Sequence, residues 1–280
     1  MSRVFSRRKW LLSTSGAFAA ASLGTAQEYR IEGADFKLGV ASYSFRKFSR
    51  EQAIQMTKEL GTPYLNVKDY HLALTSTSEE IDTARKQFAD AGIIIVGCGN
   101  ISFPTEDEAD IRRKFEYAQR LGSPLIVCAP THASLPKLEK FVREYNIKIA
   151  VHNHGPEDKN FPTPQSVLAI VKNMDSRCGL CIDVGHTART GVDVVGSIAE
   201  AGSRLLDMHI KDLADPKAKE SQVAVGEGKL PIRGIFEQLV KMDYHGSVNL
   251  EYEIEETNPM PGMQKSFAYM RGVLKTLQSA

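Results

Sequence analysis

Eight short apolar runs, several of them β-branched, punctuate this chain, and an amphipathic stretch follows each one. The runs are Lys37–Ala41, Tyr64–Val67, Ile93–Cys98, Leu125–Cys128, Ile147–His152, Gly179–Asp183, Leu205–Ile210 and Ser247–Tyr252. Runs of this length and composition read as buried strands. The stretches after them are Ser49–Leu60, Ser78–Ala91, Glu106–Leu121, Leu135–Tyr145, Pro164–Asn173, Val192–Ala201, Pro231–Met242 and Gly262–Leu277. Gly61, Gly92, Gly122 and Gly202 stand just past four of them, where a left-handed residue closes a helix. Strict alternation of this kind predicts one domain with the (β/α)8 TIM-barrel architecture. A doubly wound open sheet is the main rival. It would carry a Gly-rich nucleotide turn after its first strand, and this sequence has none there.

In such a barrel the reacting groups gather where the strands end. The last four runs each close on a polar cluster: His152-Asn153-His154, Asp183-Val184-Gly185-His186, His209-Ile210-Lys211-Asp212 and Glu251-Tyr252-Glu253. Strand ends bearing His, Asp, His and Glu can meet at one point, and that donor set suits one divalent ion such as Mn²⁺, Co²⁺ or Zn²⁺. The candidate ligands are His152, Asp183, His209 and Glu251. His152 and His154 fall on the same side of their strand, so one would ligate and the other bind substrate or move protons. Which does which stays open at this point. Lys211 could hold a substrate oxyanion, with Asp212 to hold Lys211 in turn. Glu251, His152, His154 and Lys211 are thus the catalytic candidates. Substrate contacts are expected from His186, from Lys68 with His71 on the rim, from Glu253, and from Glu227. Glu227 lies in Gly226-Glu227-Gly228, whose glycines allow close approach of a backbone to a ligand.

The chain opens on Ser6-Arg7-Arg8-Lys9-Trp10-Leu11-Leu12 and an Ala-rich stretch to Ala26. A basic start, a short apolar core and small residues at its end predict a cleavable twin-arginine-type signal peptide over residues 1–26, and export to the periplasm. Ser13, Thr14, Ser15 and Gly16 interrupt the apolar core, so it makes a poor spanning helix. Residues 27–280 then match the size of one barrel, about 250 residues. Loss of Arg3, Arg7, Arg8 and Lys9, with no acid among residues 1–26, takes the net charge from +1 to −3. A mildly acidic body without a basic cluster argues against nucleic acid as a partner. No later stretch is apolar enough to span a bilayer, so no stable membrane span is expected after cleavage, and a homo-oligomer is compatible with the sequence. Cys178 and Cys181 have CxxC spacing but sit inside a predicted strand, where they face opposite ways. Free buried thiols are expected rather than a zinc knuckle or a redox pair.

On Cys181-Ile182-Asp183-Val184-Gly185-His186, Met208-His209-Ile210-Lys211-Asp212, Gly226-Glu227-Gly228 and Val248-Asn249-Leu250-Glu251, the chain resembles the xylose isomerase-like TIM-barrel superfamily. The resemblance runs from Leu38 to the last helix. That superfamily holds sugar-phosphate isomerases and epimerases, inosose dehydratase, keto-sugar lyases and endonuclease IV. The resemblance implies that Asp183, His209 and Glu251 take the places of three metal ligands of the epimerase branch. The chain departs from that branch at the fifth strand. Epimerases usually present a glutamate there, which both ligates and transfers protons; this chain presents His152. The change removes one carboxylate from the two-base scheme and looks more like the dehydratase and lyase relatives. Endonuclease IV needs a larger histidine set than the seven present, and no Asp-x-His follows His209.

The expected activity is that of a metal-dependent isomerase or epimerase acting on a small sugar or keto-sugar. The α-proton would leave through a metal-stabilised enediolate, taken by Glu251, His152 or His154. One alternative is a 3-keto-glycoside lyase or dehydratase that works by β-elimination. Another is a non-catalytic sugar-binding barrel. No basic phosphate cradle is evident, which points to an unphosphorylated substrate.

Overall fold

Each predicted strand forms, and each shares its ladder with two neighbours, so the sheet closes on itself. The computed structural model describes residues 36–278. The expected signal peptide lies outside the described residues. The barrel strands are β1 (Lys37–Ala41), β2 (Tyr64–Val67), β3 (Ile94–Phe103), β4 (Leu125–Pro130), β5 (Lys148–His152), β6 (Cys178–Asp183) and β7 (Leu205–Ile210). A two-stranded antiparallel ribbon follows, β8 (Asp212–Leu213) with β9 (Gln222–Val223), before the closing strand β10 (Ser247–Leu250). All barrel pairs are parallel, and β1 joins β10 from Lys37 opposite Ser247 to Val40 opposite Leu250.

The outer layer consists of α1 (Arg50–Glu59), α2 (Ser78–Asp90), α3 (Glu108–Leu121), α4 (Leu135–Tyr145), α5 (Pro164–Val171), α6 (Val184–Arg189), α7 (Val194–Ala201), α8 (Ile232–Lys241) and α9 (Met260–Gln278). Helix starts follow local chemistry. Ser49 with Gln52, and Thr77 with Glu80, form reciprocal capping boxes that satisfy backbone donors the helix leaves open. Gly61, Gly92, Gly122 and Gly202 all have positive φ, as expected for residues that end helices.

The main core lies between strands and helices, where Phe103, Phe115, Phe141 and Phe236 are fully buried. A separate small cluster of Leu125, Val127, Ala150 and Cys181 packs apart from it. Cys181 shares a strand face with Asp183, two residues on, so this cluster fills the barrel interior beneath the strand ends. Cys178 belongs to the main core instead, and all four cysteines are free and buried. Among the described residues no helix is long and apolar enough to cross a membrane.

Three features depart from the expected element map. Strand β3 runs on to Phe103, with its register to β4 shifting between Cys98 and Ile101. The sequence after Asp183 folds at once into α6, because the Asp183 side chain caps it by accepting from the His186 amide. The ribbon was not foreseen, since two-residue strands carry no readable alternation.

Candidate metal centre

Four strand ends converge on one point. His152 closes β5, Asp183 closes β6, His209 is next to last in β7, and Glu251 follows β10. These strands are consecutive neighbours in the barrel, and the register sets Asp183 and Asn249 on either side of His209. His152 Nε2 lies 3.0 Å from His209 Nδ1 and 3.6 Å from Asp183 Oδ2. His209 Nδ1 lies 3.2 Å from Glu251 Oε2 and 4.0 Å from Asp183 Oδ2. All four residues are buried.

These donors fit a divalent ion on two grounds. Ligand atoms about 2.1 Å from a tetrahedral ion stand roughly 3.4 Å apart, and the measured separations bracket that value. Asp183 Oδ2, wholly buried, accepts no hydrogen bond of ordinary geometry and has the Lys211 ammonium 3.0 Å away as its charge partner, which leaves a lone pair for an ion. Two nitrogens and two carboxylates form the mixed set that borderline cations take.

Two lysines reach the same carboxylates. Lys211 Nζ is 3.0 Å from Asp183 Oδ2 and 3.1 Å from Glu251 Oε2, and it also pairs with Glu253. Burial alone would lower the Lys211 pKa, but Asp183, Glu251 and Glu253 outweigh it and hold the ammonium well above its ordinary range. Lys68 Nζ is 3.3 Å from Glu251 Oε1 and 3.5 Å from His209 Nε2, so it belongs to the centre and not to the rim. Burial works against the Glu251 anion; His209, Lys211 and Lys68 still hold its carboxyl well below the usual range. Gly185 leaves room for the Lys211 stem, since a Cβ there would come 2.7 Å from Lys211 Cδ.

His154 and His186 form an outer pair at the mouth. Their ring centroids are 4.3 Å apart, and that of His154 is 5.5 Å from His152. Burial, then the neighbouring His152, lowers the His154 pKa; burial takes His186 down to about 3. Both imidazoles are therefore neutral at pH 7. The donor set includes His152 and leaves His154 outside it. Glu253, half-buried, lines the same cavity of about 290 Å³.

Three expected contacts sit elsewhere. Glu227 is exposed, pairs with Lys265 at 3.2 Å and lies outside the cavity. The reason is that its loop folds over Asp212, which accepts from the amides of Gly226, Gly228, Leu230 and Leu213. Asp212 therefore anchors a loop and does not hold Lys211. A Cβ at Gly228 would stand 2.2 Å from Asp212 Oδ1, which explains that glycine. His71 is a satisfied core histidine, bonded to Ser42 Oγ at 2.9 Å and to the Phe45 carbonyl at 3.2 Å.

Sequence reasoning overlooked a buried polar layer beneath the donors: Asn66, Asp207 and Asn249. Asn249 Nδ2 donates to Asp207 Oδ1 at 2.8 Å, and Asp207 Oδ2 lies 4.0 Å from His209 Nε2. Burial, partly offset by Lys68, pushes the Asp207 carboxyl up to about 8. A signal was available, because these residues stand two before Lys68, His209 and Glu251 and so share their inward face. Tyr43 and Tyr70, edge-on at 5.5 Å between centroids, wall the mouth. Asn153 accepts from the Asp183 amide at 3.1 Å and donates to Thr187 Oγ1, tying β5 to β6. A larger groove of about 670 Å³, between Ile81 of α2 and Tyr117 of α3, lies outside this centre and includes none of the four donors.

Comparison with known proteins agrees with this architecture. The model of the family described as xylose isomerase-like TIM barrel matches residues 54–273. Inosose dehydratase of Mesomycoplasma hyopneumoniae (strain 7448) is 24% identical over 159 residues, 50% of this chain and 52% of the relative. The chain spans about half the length of the curated relatives it matches. Among solved structures, L-ribulose 3-epimerase superposes with a TM-score of 0.72 at 16% identity, covering 87% of this chain and 96% of that one. IolI protein with a bound zinc atom gives 0.71 at 18% identity, covering 86% and 99%. At these identities the structures speak for the fold.

Proposed function

The chain belongs to the xylose isomerase-like TIM barrel family, and on that premise we propose that it removes the proton beside the carbonyl of a small keto-sugar, using one divalent ion. The observation that carries the proposal is the buried set of His152, Asp183, His209 and Glu251, flanked by two ammonium groups and faced by neutral imidazoles. These four residues would hold the ion, whose Lewis acidity polarises the carbonyl and steadies the charge left by the departing proton.

The base in this reading is His154. It is neutral, lines the cavity and is absent from the donor set. Glu251 is the weaker candidate, because a carboxylate held well below its usual range accepts protons poorly. Lys68, between Glu251 and His209, steadies the donors, and the Lys211 ammonium, held charged by Asp183, Glu251 and Glu253, neutralises charge that develops on substrate oxygen.

Elimination is the outcome these residues support best. The C–H bond beside the carbonyl breaks and its proton passes to His154. The electron pair forms a C=C bond, and the C–O bond on the next carbon breaks. The departing oxygen, its charge met by the Lys211 ammonium, takes a proton from solvent, leaving an unsaturated ketone and an alcohol or water. Isomerisation or epimerisation is the second reading, favoured by the likeness to epimerase folds. It needs a second base to return the proton, and β5 closes on His152, a residue of the donor set, in place of the glutamate that the resemblance to epimerases leads one to expect. Export through residues 1–26 belongs to the same proposal and rests on Arg7-Arg8 and the small residues near Ala26.

The test is NMR in D₂O of Mn²⁺-loaded protein with 3-keto-glucose and its glycosides. The expected result is loss of the substituent, or deuterium beside the carbonyl, abolished in His154→Ala. An α-proton that never exchanges, with no group lost from any substrate, would overturn the proposal.

A further inference from the structure

The cleft does not end at the four donors. A second cavity of about 560 Å³ adjoins the first and shares walls with it, Tyr43 and His186 among them. Small-molecule pockets run from about 300 to 1,000 Å³, so the inner cavity alone has room for little more than one sugar ring. The outer one is built by chain outside the basic barrel, namely the β8–β9 ribbon, α6 and the loop after β10.

We infer that this outer compartment takes a second ring, so that the substrate is a sugar bearing a glycosyl or hydroxylated ring substituent. The inference rests on the reading of the inner cavity as the sugar site. Leu213 and Ile254 give the compartment apolar surface, and Tyr43 supplies an aromatic wall. Arg189 lines it with a side chain only 7% exposed, anchored by Glu157, and its Nε is buried without a hydrogen-bond partner. A buried donor left open in a cavity wall suits a ligand hydroxyl. The wall is also preformed. Gln222 Nε2 donates to the Glu251 carbonyl at 2.7 Å, and its Oε1 accepts from the Glu253 amide at 2.8 Å. This clamp ties the ribbon to the loop after β10, so little ordering is needed on binding.

The test is calorimetric titration of the Mn²⁺-loaded full chain with glucose, phenyl glucoside and cellobiose, sugars that lack the ketone and report binding alone. The two-ring ligands should bind about tenfold or more tightly than glucose. Ile254→Trp, which fills the compartment, should erase that gain and leave glucose binding unchanged; Ile254→Ala, a gentler change, should remove part of it. A gain confined to cellobiose would assign the hydroxylated ring, and a gain for both would assign the apolar face. Equal affinities for all three sugars, or a gain that both variants leave intact, would overturn the inference. Exchange of the α-proton of 3-keto-glucose, measured alongside, separates the two ideas. Exchange without the two-ring gain sinks the outer compartment alone; the gain without exchange sinks the inner chemistry alone.

Discussion

The two histidines of the β5 end differ by two positions and by depth in the cleft. His152 Nε2 is packed within 3.0 Å of His209 Nδ1, whereas His154 stands further out, at the mouth against His186. His152→Ala should therefore lose the ion, read by metal analysis of folded protein. His154→Ala should keep it while turnover falls by roughly 10²–10⁴-fold, the usual contribution of a general base. Equal metal loss in both variants would contradict that division. Gly185→Ala adds a Cβ 2.7 Å from Lys211 Cδ. Overpacking of this kind costs about 1–3 kcal/mol, measured by denaturant unfolding, and should displace the ammonium from Asp183. Glu227→Ala should leave turnover unchanged, because its partner is Lys265 outside the cavity. That His152, Asp183, His209 and Glu251 meet at strand ends was legible in the sequence because inward positions recur every second residue. It could not rank His152 over His154, since alternation gives direction and not depth. Glu227 misled because GxG looks the same whether its amides face a ligand or, as here, a buried aspartate.

At the scale of elements, strands and long helices were legible because burial imposes a period on them, and their ends agree within a few residues. Structure held by single side chains was not. The six residues of α6 owe their start to Asp183, whose Oδ1 caps the helix while Oδ2 faces the other donors. The ribbon depends on Asp212 and Gln222, neither of which announces a strand. Asp212 accepts from four backbone amides, and losing it would leave buried donors unpaired. Asp212→Ala should destabilise the protein by roughly 3 kcal/mol or more in denaturant unfolding. An effect near zero would mean that the loop is held by other contacts.

For the whole molecule, closure of β1 on β10 locks the two ends of the described chain together and fixes the distances among four separate strands. An ion bound only by the folded state stabilises it through mass action, by about 2.7 kcal/mol at a hundredfold excess over Kd. For a domain of this size that corresponds to a Tm rise of roughly 5–11 °C on loading, reversed by a chelator. The central claim is that His152, Asp183, His209 and Glu251 form one metal centre. Metal analysis of the purified chain, titrated with Mn²⁺, Co²⁺ and Zn²⁺ beside Asp183→Asn, tests it most directly. The account predicts one equivalent per chain in the unmodified protein and a near-complete loss in a variant that stays folded. No stoichiometric metal, or equal loading of both proteins, would contradict it.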